Sequence, residues 1–220
     1  PLVVVLMSGS AVALNWAKTH ADAIVAAWYP GQSGGTAIAR ALAGDDNPGG
    51  RLPVTFYRST KDLPPYVSYD MKGRTYRYLK GEALFPFGYG LSYTRFAYET
   101  PRLSVTTLQA GSPLQVTTTV RNTGERAGDE VAQVYLQYPD RPQSPLRSLV
   151  GFQRVHLQPG EQRTLTFTLD ARALSDVDRT GTRAVEAGDY RLFVGGGQPD
   201  TGAPGQSVAL TIQGRAPLPK

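Results

Sequence analysis

The 220-residue chain carries 23 basic and 18 acidic side chains, a formal net charge of +5, with 40% apolar and 19% charged residues, the balance of a folded globular protein rather than a disordered one. It has no Cys, and its two His, His20 and His156, stand far apart, which excludes disulfides, thiol chemistry and Cys-based metal sites and argues against a His-rich one. The basic residues are scattered rather than gathered into a nucleic-acid arm, and the longest apolar runs are too short to cross a bilayer, so neither nucleic acid nor membrane is expected as a partner, and no cofactor or metal is implied.

In chain order, Leu2 to Met7 is a continuous apolar run of the kind buried on both faces of a parallel sheet. That such a strand follows directly on Pro1 suggests a chain cut from something longer. Ser8-Gly9-Ser10 breaks the run, and the spacing predicts a helix over Ala11 to Thr19 with Val12, Trp16 and Thr19 on its buried side. Ala23 to Trp28 reads as a second buried strand, ended by Pro30-Gly31. Ser33-Gly34-Gly35 opens a helix through Ala43, with Ile38, Ala41 and Leu42 inward, and the cluster from Asp45 to Gly50 stops it. Arg51 to Phe56 follows as a third strand. The order β-α-β-α-β implies a parallel α/β sheet over residues 1–57, thin enough to be the remnant of a larger three-layer sandwich.

Residues 58–101 hold no sustained period and are rich in Pro, Gly and aromatic side chains, among them Tyr66, Tyr69, Tyr76, Tyr78, Phe85, Phe87, Tyr89 and Tyr93. Flexible linkers are polar, so this segment is expected to be an ordered strap with its rings packed. Over residues 102–215 the period becomes two: Leu114, Val116, Thr118 and Val120; Leu165, Phe167 and Leu169; Val208, Leu210 and Ile212, with turns at Asn122-Thr123-Gly124, Pro159-Gly160-Glu161 and Ala187-Gly188-Asp189. Short alternating strands of this number fit an all-β sandwich of the immunoglobulin or fibronectin III kind.

Several segments together carry a family signature. They are Leu6-Met7-Ser8-Gly9-Ser10, Ala27-Trp28-Tyr29-Pro30-Gly31-Gln32, the run from Asn47 to Phe56, Gly73-Arg74-Thr75-Tyr76-Arg77-Tyr78, and Phe85-Pro86-Phe87-Gly88-Tyr89-Gly90. In that order they resemble the end of the second α/β domain of family 3 glycoside hydrolases. The runs Gly128 to Tyr135 and Leu149 to Val155 resemble that family's fibronectin III-like C-terminal domain. The resemblance implies the C-terminal region of a retaining β-glycosidase acting on terminal β-linked glucosyl or xylosyl residues, with a carbohydrate substrate met through the complete enzyme and a missing N-terminal barrel domain as partner. Met71 to Tyr78 is similar to members on the β-xylosidase side. Family members are often periplasmic or extracellular, and the same location is expected here.

Retaining hydrolysis needs a nucleophilic carboxylate and a carboxylic acid about 5–5.5 Å apart. In the family the nucleophile is an Asp of the barrel, and the acid/base is usually a Glu upstream of the strand that opens this chain. Neither motif has a counterpart here, so no catalytic residue is expected in this chain. Asp45, Asp46, Glu161 and Asp189 read as turn residues, and Asp129, Glu130, Asp176 and Asp178 as residues in or beside sandwich loops. Gly31-Gln32-Ser33-Gly34-Gly35 lacks the Lys-Ser/Thr ending of a phosphate loop and reads as a strand-to-helix turn. The substrate-proximal candidates are Trp28 and Tyr29, at a strand end where α/β sheets place ligand crevices, and Arg74 and Tyr76 in a cationic and aromatic cluster that serves equally as an interdomain clasp. The alternative to a glycosidase region is a non-catalytic carbohydrate-binding or scaffold module, a choice that fold alone does not make.

Overall fold

The computed structural model describes residues 1–141 and 144–219. The first part has strand β1 (Val3–Leu6), helix α1 (Asn15–His20), strand β2 (Ala23–Ala26) and helix α2 (Gly34–Ala43). β1 and β2 pair in parallel with Val3 opposite Ala23, the β-α-β unit that the apolar runs predict. Gly44 ends α2 at φ 83°, with its N–H on the Ala41 carbonyl at 3.2 Å and the Asp45 N–H on the Arg40 carbonyl at 2.9 Å. A left-handed glycine of this kind satisfies the last carbonyls of a helix.

Three expectations for this part are corrected. Arg51 to Phe56 is not a third parallel strand. Pro53 has no N–H to give a ladder, and the segment turns instead to the strap. There the Leu52 N–H meets the Tyr89 carbonyl at 2.8 Å, the Phe56 N–H meets the Phe85 carbonyl at 2.9 Å, and Phe56 and Phe85 form an antiparallel bridge. Helix α1 starts at Asn15 rather than Ala11, and Trp16 is 62% exposed, whereas Ala17 is buried. Asn15 Nδ2 donates to the Arg58 carbonyl at 2.6 Å and Lys18 Nζ to the Leu84 carbonyl at 2.8 Å, so the helix turns its residue 15 and 18 side to the strap and leaves Trp16 outside, stacked on His20 at 4.6 Å. Leu2 and Val3 are exposed rather than buried on two faces, because among the described residues only two strands and two short helices make up this unit.

The strap holds a short turn at Thr60–Asp62 and the one-turn helix α3 (Thr75–Tyr78). Phe56 and Leu84 are buried under it, and Phe85, Phe87 and Tyr89 are half-buried, but Tyr66 and Tyr69 stand almost fully in solvent, against the packing expected of them.

The remaining strands are β3 (Phe96–Tyr98), β4 (Arg102–Leu103), β5 (Thr107–Gln109), β6 (Leu114–Asn122), β7 (Gly128–Gln137), β8 (Arg147–Leu157), β9 (Gln162–Leu169), β10 (Asp176–Val177), β11 (Arg183–Val185), β12 (Gly188–Gly195), β13 (Gly205–Gln213) and β14 (Ala216–Leu218). One sheet runs β5-β13-β12-β7-β8; in the other, β6 pairs with β9 along its length and with the short β3 and β4; β10, β11 and β14 form a small third sheet. Alternate residues of the two large sheets face each other, so that Leu114, Val116 and Val120 meet Ala132, Val134, Leu136, Leu165, Phe167, Leu192 and Leu210 in one core. Asp129 and Glu130 lie within β7 and Asp189 within β12, rather than in the loops and turn expected of them. β7 begins at Gly128 and β12 at Gly188, ahead of their first apolar residues Val131 and Tyr190, because backbone pairing to β8 and β13 extends past the apolar positions.

Leu192 is fully buried in that core. Replacing it with Ala is expected to lower the unfolding free energy in urea by about 2–5 kcal/mol. Tyr66→Ala, at a side chain in solvent, should stay within about 0.5 kcal/mol of the parent.

Candidate functional site

The strongest polar constellation lies on the seam between the first part and the sandwich. Arg51 Nη2 meets Glu130 Oε2 at 2.6 Å, with the two side chains only 9% and 1% exposed. Arg51 Nε also donates to the Gly196 carbonyl at 3.0 Å, and the Tyr98 hydroxyl donates to Glu130 Oε1 at 2.6 Å. On the opposite face of β7, Gln133 Nε2 donates to the carbonyls of Gly88 (3.1 Å) and Gly196 (3.2 Å) and Gln133 Oε1 accepts from the Tyr135 hydroxyl at 2.6 Å. The strap can come this close because it carries glycine where it touches: a Cβ on Gly90 would collide with the Gly50 carbonyl, and one on Gly88, at φ 77°, with the Gln133 amide. Asn47 closes the seam's other end, donating to the Ala127 carbonyl at 2.9 Å and accepting from Ser92 Oγ (2.9 Å) and the Tyr93 N–H (2.8 Å).

Among the described residues Glu130 is the one fully buried carboxylate. Burial raises its pKa, and the charge of Arg51 and the hydrogen bond from Tyr98 offset only part of that rise. The Tyr98 hydroxyl is pushed well up, first by burial and then by the Glu130 charge. The other acids serve local geometry. His156 and Arg154 hold Asp129 below the usual carboxylate range, the His156 bond first; Asp178 is held low by the Thr180 hydroxyl and the Thr182 and Thr180 N–H groups; Glu82 is exposed and paired with Arg58 at 2.7 Å. No group of three or more His, Asp or Glu side chains suited to a metal ion is gathered among the described residues.

The four sequence candidates do not converge. Trp28 lies two residues past the end of β2, which is shorter than the expected Ala23 to Trp28, stands in the left-handed region at φ 52° and sets its ring edge-on to Phe56 at 6.2 Å. Tyr29 beside it is 82% exposed, its ring over Gly9. The Arg74 guanidinium is occupied by the carbonyls of Ser68 (2.7 Å), Asp70 (3.0 Å) and Pro65 (3.1 Å), which fastens the strap's exposed loop to α3. Tyr76 stacks on Phe87 at 4.2 Å, meets Tyr135 edge-on, and takes the Leu149 N–H on its hydroxyl at 3.0 Å, a clasp between strap and sandwich.

Tyr76 also borders an open cleft of about 700 Å³ between α1, the strap and the ends of β8 and β12, which further includes Lys18, Thr55, Phe85, Tyr89, Arg147 and Gln198. Sequence reading misses this cleft, since its polar residues come from four separate segments with no shared motif. Only Tyr76 and the Phe85-to-Gly90 run gave a signal.

A parallel α/β element strapped to an immunoglobulin-type sandwich by glycine-rich contacts defines the class. Residues 1–93 match the glycosyl hydrolase family 3 C-terminal domain, and residues 130–198 match the fibronectin type III-like domain. The chain belongs to glycosyl hydrolase family 3, of which it carries this C-terminal region. It is 46% identical over 195 residues to a xylan 1,4-β-xylosidase of Xylanibacter ruminicola, covering 88% of this chain and 22% of that protein. It is 40% identical over 208 residues to a periplasmic β-glucosidase of Salmonella typhimurium, covering 89% and 27%. The solved structure of β-glucosidase 3B from Thermotoga neapolitana in complex with α-D-glucose superposes with a TM-score of 0.87 at 30% identity, over 99% of this chain and 32% of that one. The chain thus spans about a quarter of the length of the curated relatives it matches.

The seam is testable through Arg51. Arg51→Met leaves Glu130 buried without its counter-charge, which costs roughly 3–5 kcal/mol at pH 7. The carboxyl pKa, already raised, rises further, so the folded state favours the protonated acid. Stability from that protonation is present below the unfolded carboxyl pKa and lost as pH rises through the folded one. The urea midpoints of parent and variant should therefore differ most at pH 7.5 and approach each other toward pH 4.5.

Proposed function

We propose that this chain is the scaffold region of a retaining β-glycosidase that releases terminal β-linked glucosyl or xylosyl residues, with the two catalytic carboxylates supplied from outside the chain. The observation that carries the reading is the 46% identity to a protein named xylan 1,4-β-xylosidase. The placement of acids supports it: the buried one, Glu130, is committed to Arg51 and Tyr98, and Asp129, Asp178 and Glu82 are tied to local partners. In such an enzyme one carboxylate attacks the anomeric carbon while the other protonates the leaving oxygen, and water then releases the sugar with retention. Both groups must be held to a fraction of an ångström. The region's part is to fix the α/β element, whose exposed Leu2, Val3, Met7 and Trp16 offer an apolar face for the rest of the α/β domain and the barrel.

The substrate is a carbohydrate met by the assembled enzyme, and Trp28 and Tyr29 are the residues of this chain we place nearest to it. A periplasmic or extracellular location is favoured by the Salmonella relative's name. No helix among the described residues is long and apolar enough to cross a membrane, and no nucleic-acid partner is proposed.

Nitrophenol release from aryl β-glucoside and β-xyloside tests the reading. The purified chain should be silent, and a fusion to the portion of the Salmonella protein that precedes its aligned segment should turn over. Turnover by the chain alone that vanishes in Asp45→Ala, Asp46→Ala, Asp70→Ala or Glu82→Ala would overturn it, as would a folded but inactive fusion.

A further inference from the structure

Residues 59–74 of the strap form an excursion whose apolar side chains the fold leaves unused. Its two ends are tied together: the Asn15 amide holds the Arg58 carbonyl at 2.6 Å, and the Tyr57 hydroxyl accepts the Thr75 N–H at 2.7 Å. Between them Tyr66, Val67 and Tyr69 are 99%, 83% and 97% exposed, and Leu63 and Met71 are exposed as well. Single exposed apolar side chains are ordinary, whereas five within nine residues make a patch of the kind that marks an interaction site. The loop is not loose. The Arg74 guanidinium holds the carbonyls of Ser68 (2.7 Å), Asp70 (3.0 Å) and Pro65 (3.1 Å), the Ser68 N–H meets the Pro65 carbonyl at 3.0 Å, and Asp62 and Asp70 accept the Ser59 and Lys72 N–H groups at 2.9 and 3.0 Å. Thr75, which closes the loop, stands at φ 55°, a left-handed conformation that a β-branched residue keeps only where its surroundings impose it. A backbone fixed in advance around fully exposed rings has already lost the entropy that binding would otherwise cost.

We infer that residues 59–74 are a preformed docking arm for the portion of the same enzyme that lies outside this chain, received there by an apolar pocket bordered by carboxylates. The chemistry of that pocket follows from the arm. Its acids, Asp62 and Asp70, are spent on backbone N–H groups, whereas Lys61 and Lys72 have no ion-pair partner among the described residues, so the arm offers apolar side chains together with positive charge. The choice of partner follows from position. Asn15 opens the helix after β1, and Trp28, whose ring lies 6.2 Å from that of Phe56, follows β2, so the strap starts at the C-terminal edge of the parallel pair. Met7 and Tyr29 lie exposed at the same edge, which is where α/β sheets place their ligand crevices. The apolar face of Leu2, Val3, Met7 and Trp16 reaches this edge through Met7, and the arm continues it. A second copy of the chain fits less well, because two arms meeting about a two-fold axis would set unpaired lysines against each other. The inference rests on the proposed glycosidase reading for the identity of the partner.

Docking is read without turnover, by hydroxyl-radical footprinting and mass spectrometry of the 220-residue chain and of its fusion to the portion of the Salmonella protein that precedes its aligned segment. Tyr66 and Tyr69 should label strongly in the chain and lose their labelling in the fusion. Tyr66→Ser combined with Tyr69→Ser should leave the melting temperature of the chain unchanged and lower that of the fusion by about 2–4 °C. Arg74→Met, which keeps both rings and releases the three carbonyls, should restore part of the labelling in the fusion. A fusion that protects the arm yet releases no nitrophenol would keep the docking and remove the glycosidase reading; one that turns over with both tyrosines fully labelled would do the reverse. Equal labelling in chain and fusion, or an equal change of melting temperature in both, would overturn the inference. Protection in the chain alone that grows with its concentration would also overturn it, by assigning the arm to a second copy.

Discussion

Arg51 leaves the loop that follows α2 and buries its guanidinium against Glu130, a carboxylate on β7, an interior strand of the sandwich. Two charges removed from water this thoroughly stay folded only if each finds more than the other. Here the arginine also holds the carbonyls of Gly49, Gly50 and Gly196, and the glutamate also holds the Tyr98 hydroxyl. A lysine could not do the same, since a single ammonium lacks the planar fork that reaches a carboxylate and several carbonyls at once. The pair therefore fixes the orientation of the α/β element on the sandwich, and the strap is threaded through the geometry that it sets.

The strap shows what that fixed seam makes possible. Residues 52–56 pair with residues 84–89, so the chain leaves the α/β element and returns to it before entering the sandwich. Gly88 and Gly90 let the returning backbone lie against Gln133 and Gly50, while Tyr76 and Phe87 fill the space over Tyr135. The aromatic cladding buries area, and the backbone carbonyls along it are taken by Arg74, Gln133 and Lys18 rather than left empty. Beside the strap lies an open cleft of about 700 Å³, and among the residues lining it Thr55, Arg147 and Gln198 each carry a buried side-chain atom without a hydrogen-bond partner, a local loss of stability within an otherwise well-paired seam.

Much of this was legible in the chain itself. Side chains alternate across a strand with a period of two, so Leu114, Val116 and Val120 or Leu165, Phe167 and Leu169 announce a buried face wherever the partner sheet happens to be. The parallel pairing of β1 and β2 was readable from the apolar runs that open the chain, but not their burial, since Leu2 and Val3 are exposed. The order of family motifs carried the identity of the whole region, since each marks a backbone need such as the glycines at 88 and 90.

Tertiary structure alone decided the partners. Arg51 to Phe56 has the composition of a strand, yet which strand it joins depends on where Pro53 falls relative to a ladder, and the strap won. Trp16 looked inward by spacing and is outside, because the polar contacts of Asn15 and Lys18 fix the rotation of a six-residue helix. Glu130 read as one more surface acid, and nothing local distinguishes it from Asp129 next to it. Alternation turns one into the core and the other to solvent, and only the arrival of Arg51 from 79 positions away in the chain makes the buried one tolerable. Periodicity and turn chemistry are local properties that the amino-acid sequence determines by itself, whereas the charge pair on the seam and the cleft beside it are meetings of distant segments, which exist only once the chain has folded.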